Sequence, residues 1–188
     1  MRKRLNLLVA IAVIFLITIS FDAKAQVNLS IGIRGGISSF QNPIGSGPQF
    51  GGHVRVKVSS KVDLEVMAEL FSSTWGENQY EVTWRNVLIG VTGTYKFSLP
   101  TKTVIPYLGA GMCLHRISKE FSSGVPSVTP LAKEFSTEGC FHALGGLRFN
   151  LPTTPISIFV EGRYMAVGDE AAPDFPSLLG GVTLNILR

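Results

Sequence analysis

Helical periodicity is absent from most of this sequence. After Gln26, no stretch repeats its apolar residues every 3.6 positions, so there is little basis for predicting helices. The sequence also lacks a Gly-rich phosphate loop and a dinucleotide-binding fingerprint. Its 188 residues amount to about one domain. The sequence therefore predicts one domain that is not helical and has no cofactor.

The N-terminal segment has the pattern of a secretory signal peptide. Three basic residues precede an apolar run from Leu7 to Ile19, and Ala23-Lys24-Ala25 has the small residues of a cleavage site. The run is shorter than the roughly 20 residues that a membrane-spanning helix needs. We therefore expect a cleaved signal peptide at 1–25 and an exported domain at 26–188.

The signal peptide also carries most of the excess positive charge. The whole chain has a formal net charge of +4. Cleavage would remove four basic residues and one acidic residue, which leaves about +1. A nucleic-acid partner is therefore not expected.

Alternation with a period of two recurs eight times after Gln26, in segments rich in β-branched and aromatic residues. Gly, Pro, Ser and Asn separate these segments. They predict eight strands: Val27 to Gly36, Phe50 to Val58, Val62 to Phe71, Asn86 to Phe97, Val104 to Arg116, Glu138 to Phe149, Ile156 to Met165, and Leu178 to Leu187.

The two faces of these strands differ completely in chemistry. One face, which includes Leu64, Val66 and Val91, has no charged residue apart from Arg116 at the end of a strand. The other has all three histidines, many glycines and ten charged residues: Arg34, Arg55, Lys57, Asp63, Glu65, Glu69, Lys96, Arg148, Glu161 and Arg163. An apolar outside and a polar inside are typical of a transmembrane β-barrel. The expected fold is all-β, an eight-stranded antiparallel up-and-down barrel.

The connections between the predicted strands alternate in length. Short connections lie at 59–61, 98–103 and 150–155, and long ones at 37–49, 72–85, 117–137 and 166–177. In outer-membrane barrels the short turns lie in the periplasm and the long loops lie outside the cell. The same arrangement here would place both termini in the periplasm.

A soluble, lipocalin-like barrel with an apolar interior remains an alternative, because the alternation of apolar and polar residues does not say which face is outward. The alternating connections and the glycines of the charged face favour the membrane barrel. A narrow eight-stranded lumen needs small residues beside its charged ones.

Three segments resemble the small outer-membrane β-barrel superfamily that includes the OmpA transmembrane domain and the OmpX-like proteins. They are Pro106-Tyr107-Leu108-Gly109-Ala110-Gly111, Gly145-Gly146-Leu147-Arg148-Phe149 and Glu161-Gly162-Arg163-Tyr164. The resemblance covers nearly the whole exported domain and identifies an architecture, not an activity. It implies insertion into the outer membrane by the assembly machinery and contact with outer-membrane lipid.

The hairpin of the second and third predicted strands suggests ion pairs inside the barrel. If Val58 faces Val62, then Lys57 faces Asp63 and Arg55 faces Glu65, so opposite charges lie directly across the ladder. The main interpretation is a structural ion-pair plug, and a gated ion or proton path is the alternative. The same network could also include Glu69, Arg148, Glu161 and Arg163.

Cys113, His115, Cys140 and His142 all fall on the inward face of two neighbouring strands. If Cys113 faces Cys140, the side chains of both strands stay on the inward and outward faces that the alternation assigns to them. An exported protein meets oxidising conditions, so a disulfide is favoured over unbridged thiols or a zinc site.

The sequence does not predict an enzyme or identify catalytic residues. Some eight-stranded outer-membrane barrels deacylate or acylate lipid A, but this needs a nucleophile and a base on the lipid-facing wall. Here all three histidines point inward. We expect a structural, adhesive or surface-interaction role, with host or surface ligands bound by the long loops. A small porin or a periplasmic carrier of apolar ligands is the alternative.

Overall fold

The computed structural model describes residues 28–40, 45–77, 80–100, 103–123, 133–167 and 174–186, and it describes side chains in these ranges except at 75–77, 80–82, 119–123 and 133–135. The predicted signal peptide lies outside the described residues. Among the residues described, no helix is both long enough and apolar enough to cross a membrane.

The eight strands form one closed antiparallel barrel in which each strand pairs with its neighbours along the chain, and β8 closes on β1. This confirms the predicted fold. The strands are β1 (Leu29–Ser39), β2 (Ser46–Lys57), β3 (Val62–Glu77), β4 (Tyr80–Lys96), β5 (Val104–Ser123), β6 (Lys133–Asn150), β7 (Ile156–Val167) and β8 (Phe175–Asn185).

Much of what the sequence predicted to be long loop is strand. The β3–β4 ladder continues to the pair Glu77 and Tyr80, so this connection is two residues long instead of fourteen. Similarly, the β5–β6 ladder reaches the pair Glu120 and Lys133. The prediction failed because it relied on outward apolar side chains. A ladder of main-chain hydrogen bonds does not need them.

The two ends of the barrel are therefore different. The end with the turns β2–β3, β4–β5 and β6–β7 is called the turn end, and the opposite end, where β3–β4 and β5–β6 project, is called the hairpin end. At the turn end, Ser59 Oγ accepts hydrogen bonds from the main-chain N–H groups of Lys61 and Val62, at 3.3 and 3.0 Å. These bonds satisfy donors in the turn that brings β3 back beside β2.

The apolar face points outward. Ile33 is 71% exposed and Leu114 is 62% exposed, while Glu65 and Glu161 on the other face are each 1% exposed. A soluble barrel with an apolar interior requires the opposite arrangement, so the structure contradicts the lipocalin-like alternative. The outward apolar face and closed ladder are those of a transmembrane barrel.

Candidate functional site

The β2–β3 hairpin has the register that the sequence predicts. Arg55 faces Glu65, and Lys57 faces Asp63. Arg55 donates to Glu65 Oε2 through Nη2 at 2.5 Å and through Nε at 3.0 Å.

The facing of Lys57 and Asp63 does not produce an ion pair between them. Asp63 binds Lys96 at 2.7 Å and Arg148 at 3.2 Å, from β4 and β6. Lys57 is the last residue of β2, and it is exposed at the mouth of the barrel. There its ammonium group stays hydrated, whereas Asp63 is buried inside and is neutralised by other cations.

The centre of the lumen is filled by a network of three arginines and three glutamates. Arg34 forms ion pairs with Glu65, Glu69 and Glu161. Arg163 binds both Glu69 and Glu161, each at 2.8 Å. Because the third arginine, Arg55, also binds Glu65, the network joins β1, β2, β3 and β7 and balances its charges. Buried ions in such a network are neutralised mutually instead of by water.

Neutral side chains complete this network. Tyr107 donates its hydroxyl hydrogen to Glu161 Oε2 at 3.0 Å, and Gln49 donates to Glu69. The predicted site did not include Arg34, Gln49, Lys96 or Tyr107. Arg34 and Lys96 were recognisable as inward-facing charges. Lys96 binds Asp63 diagonally across the β3–β4 ladder, whereas the contacts of Arg34 reach β3 and β7 and depend on how the barrel closes.

The interior near the hairpin end is apolar, which the sequence analysis did not predict. Phe40 packs between Phe71 and Phe175, with ring centroids 4.4 and 4.0 Å away. The whole cluster is called the apolar plug, and its buried members are Phe40, Met67, Phe71, Leu88, Cys113, Cys140, Met165 and Phe175. It lies inside the barrel wall, so it blocks the lumen beyond the ion-pair network.

Cys113 and Cys140 form a disulfide in the apolar plug, with their Cα atoms 5.0 Å apart. They face each other directly across β5 and β6, in the register that the sequence predicts. The zinc alternative required two thiolates, and a disulfide removes both as ligands. Within the described part of the chain, no group of three His, Cys, Asp or Glu side chains could hold a metal ion.

The three histidines lie in the closed interior. His53 Nε2 lies 3.1 Å from Thr183 Oγ1, and His142 Nε2 lies 2.7 Å from Thr92 Oγ1. His115 contacts the ring of Phe175 at a centroid distance of 5.9 Å. All three are at most 4% exposed, so none faces lipid.

A polar cavity of about 350 Å³ opens at the turn end. The charged side chains in its wall are Arg55, Lys57, Asp63, Lys96 and Arg148. It reaches the central network at Arg55. It is separate from the apolar plug, since the two share no residue.

No family model and no curated protein matches the chain. Three solved structures match it closely in shape. Neisserial surface protein A superposes with a TM-score of 0.65 at 17% identity, covering 86% of this chain and 98% of that one. A major outer membrane protein from Thermus thermophilus has a TM-score of 0.59 at 12% identity, with 84% and 99% covered.

The third is Ail, the attachment invasion locus protein of Yersinia pestis, solved in complex with the heparin analogue sucrose octasulfate. Its TM-score is 0.56 at 13% identity, with 86% of this chain and 98% of Ail covered. The chain has the fold of the small eight-stranded outer-membrane barrels. At these identities the likeness concerns the fold alone, so the function of this barrel has to be argued from its own residues.

Proposed function

We propose that this barrel is a non-catalytic outer-membrane protein that conducts no solute and interacts with partners at the cell surface through its hairpin end. The observation that carries the proposal is the filled lumen. The ion-pair network around Arg34 and the apolar plug around Phe40 block the interior one after the other. Because the lumen is filled, the hairpin end is the surface available to a partner.

The filled lumen argues against the porin alternative. Eight strands enclose an interior just wide enough for side chains. Here the large side chains Phe159, Tyr107 and Met165 are at most 1% exposed, so they fill the space between the charged groups. An ion crossing the barrel would have to displace both paired charges and stacked rings.

The buried histidines argue against catalysis. A lipid-modifying enzyme needs a nucleophile and a base on the lipid-facing wall, where its substrate can reach them. The hydroxyl groups beside His53 and His142 belong to Thr183 and Thr92, which are 1% and 0% exposed. These pairs stabilise the lumen and have no path to a lipid substrate.

The charge of the hairpin end indicates what kind of partner it could bind. The segments 37–49, 72–85, 116–138 and 166–177 contain eight acidic and four basic residues. A surface with excess negative charge favours basic or neutral partners and repels polysulfated ones. The partner would then differ in charge from the heparin analogue bound by Ail.

Planar-bilayer recordings test the closed lumen. The purified barrel should show no steady conductance steps. The double variant Phe40→Ala/Phe175→Ala opens space in the plug, while Phe141→Ala removes an outward ring that is 54% exposed and serves as the control. Stable channels from the unmodified barrel would show that it is a porin.

Labelling of intact cells tests the location and orientation. One variant, Asn78→Cys, introduces a cysteine into the β3–β4 connection at the hairpin end. The other, Ser60→Cys, introduces one into the β2–β3 turn. A membrane-impermeant maleimide should label the first variant on intact cells and the second only after lysis. The opposite result would contradict the proposed orientation.

Binding of whole cells to coated beads tests the surface role. Cells that display the barrel should bind beads coated with a basic protein more than heparin-coated beads. The double variant Asp169→Asn/Glu170→Asn removes two of the acidic residues of the hairpin-end segments and should reduce this binding while the barrel stays folded. Binding equal to that of cells without the barrel would exclude the proposed role.

A further inference from the structure

The turn-end cavity has an excess of positive charge. Four cationic side chains line it, Arg55, Lys57, Lys96 and Arg148, and the one carboxylate in the wall is that of Asp63. Glu65, in the central network, compensates Arg55, so two positive charges remain in excess. Asp63 is fully engaged, because Lys96 takes one of its oxygens and Arg148 the other. Uncompensated cations that share a small space repel each other, and this cost falls when an anion binds between them.

Two of these cations have buried donors without partners. Arg55 uses Nε and Nη2 for Glu65, while its Nη1 has no hydrogen-bond partner. Arg148 uses Nη1 for Asp63, while its Nε and Nη2 have none. Both side chains are at least nine-tenths buried. These three nitrogen atoms have almost no accessible surface, so an anion in the cavity would reach them only after a small movement of the arginine side chains. Such an acceptor is favoured because buried N–H groups of charged side chains are costly to leave unpaired.

The rest of the wall suits a small polar molecule. Asn28, Ser30, Asn150 and Asn185 contribute amide and hydroxyl groups around the rim. The volume of about 350 Å³ accommodates a phosphate group together with a small polar substituent or several waters. The mouth is at the end where Lys57 is exposed, so an anion can enter from solvent.

From these observations we infer that the turn-end cavity is a binding site for a phosphate-type oxyanion. The guanidinium groups of Arg55 and Arg148 hold the oxygens through their free N–H donors, and Lys57 and Lys96 contribute charge. Arginine forks suit this role because their planar donors match the oxygens of phosphate. A cation is disfavoured by the excess of positive charge, and an uncharged sugar would leave that excess uncompensated.

The site is independent of the surface role proposed for the hairpin end. It lies at the opposite end of the barrel and shares no residue with the hairpin segments. Loss of phosphate binding therefore does not affect the test of cell-surface binding.

Calorimetric titration of inorganic phosphate into the folded protein in a nonionic detergent tests the site, with chloride held constant. We expect saturable binding. Arg148→Gln should weaken it by about tenfold or more, since charge-assisted hydrogen bonds are lost. Because Arg148 also pairs with Asp63, this variant could fail to fold.

Lys57→Gln provides the second variant, since Lys57 is exposed, lines the cavity and has no ion pair with Asp63. It should weaken phosphate binding by about threefold without unfolding the barrel. Lys61→Gln is the matched control, because it removes the same charge from the neighbouring turn outside the cavity. Its affinity for phosphate should equal that of the unmodified protein.

The absence of saturable phosphate binding by the folded protein would overturn the inference, as would equal weakening by Lys57→Gln and Lys61→Gln. A repeat in nanodiscs separates the two sources of phosphate. If the headgroup of a lipid occupies the site, phosphatidylglycerol should compete with added phosphate and phosphatidylcholine should not. If soluble phosphates occupy it, the affinity should be the same in both lipids.

Discussion

Arg34 on β1 and Glu161 on β7 are 127 residues apart in the sequence and meet in the centre of the lumen, with Arg34 Nη1 lying 3.4 Å from Glu161 Oε1. Glu161 also accepts hydrogen bonds from Arg163 and Tyr107. One carboxylate thus pairs with two guanidinium groups that have almost no access to water. Its removal should affect the whole network.

Glu161→Gln keeps the shape of the side chain and removes its charge. The variant leaves Arg34 and Arg163 partly uncompensated, so the free energy of unfolding should fall by about 3–5 kcal/mol. Urea unfolding followed by tryptophan fluorescence measures this fall. Lys61→Gln, in an exposed turn, should leave the midpoint unchanged. A fall of less than about 1 kcal/mol would show that the network contributes little to stability.

A charge on the outer wall should be costly only within the apolar belt. Val66 lies midway along the outward residues of β3 from Val62 to Leu70, and it is 49% exposed. Val66→Arg should lower stability in lipid by about 2–4 kcal/mol, as arginine does near the bilayer midplane. Folding into vesicles at increasing urea measures this change.

Thr74→Arg provides the matched control for the apolar belt. Thr74 is also outward on β3, but it lies beyond Leu70 and faces the neutral Thr83. Arginine there should cost no more than about 1 kcal/mol in lipid. Equal effects of Val66→Arg and Thr74→Arg would show that the membrane boundary is not where the outward residues change from apolar to polar.

Local chemistry was sufficient to predict the barrel, the inward face and the register of two hairpins. The alternation places Cys113 and Cys140 on the same face. In an antiparallel ladder the residue numbers of facing partners add up to the same total, which makes these two cysteines partners. The same reasoning placed Arg55 opposite Glu65. These inferences concern neighbouring strands, where sequence distance and spatial distance are simply related.

Contacts across the lumen were beyond this reasoning. Arg34 reaches Glu161 because β8 closes on β1, so that one strand separates β1 from β7 and both face the same narrow lumen, where the tilt of the strands sets which side chains are level. Phe40 and Phe175 were missed because they lie outside the predicted strands, although their rings occupy the interior. The facing pair Lys57 and Asp63 shows the opposite error, in which register was correct but exposure allowed Lys57 to stay in water.

The disulfide should stabilise the folded barrel by restricting the unfolded chain. Its cysteines are separated by 27 positions, and a loop of that length corresponds to about 3–4 kcal/mol in the chain-entropy estimate. The double variant Cys113→Ser/Cys140→Ser should therefore unfold at lower urea than the oxidised protein. Mass spectrometry of non-reduced peptides, with thiols blocked at lysis, should show the bridge. Full labelling of both thiols would contradict the bridge itself.

Inward glycines should tolerate a methyl group less well than outward ones. A Cβ added at Gly146 would lie 2.5 Å from the carbonyl oxygen of Val160 and 2.7 Å from the hydroxyl oxygen of Tyr107. The main-chain contact cannot be relieved by a side-chain rotation, so Gly146→Ala must shift the strand or Tyr107, whose hydroxyl binds Glu161. At Gly162, on the outward face of β7, an added Cβ would lie 3.9 Å from its nearest atom.

We expect Gly146→Ala to lower the free energy of unfolding by about 1–3 kcal/mol, and Gly162→Ala to leave it unchanged or raise it slightly. Urea unfolding of the two variants in the same detergent decides between them, and equal stability would show that the lumen is wider than the contacts of Tyr107 indicate.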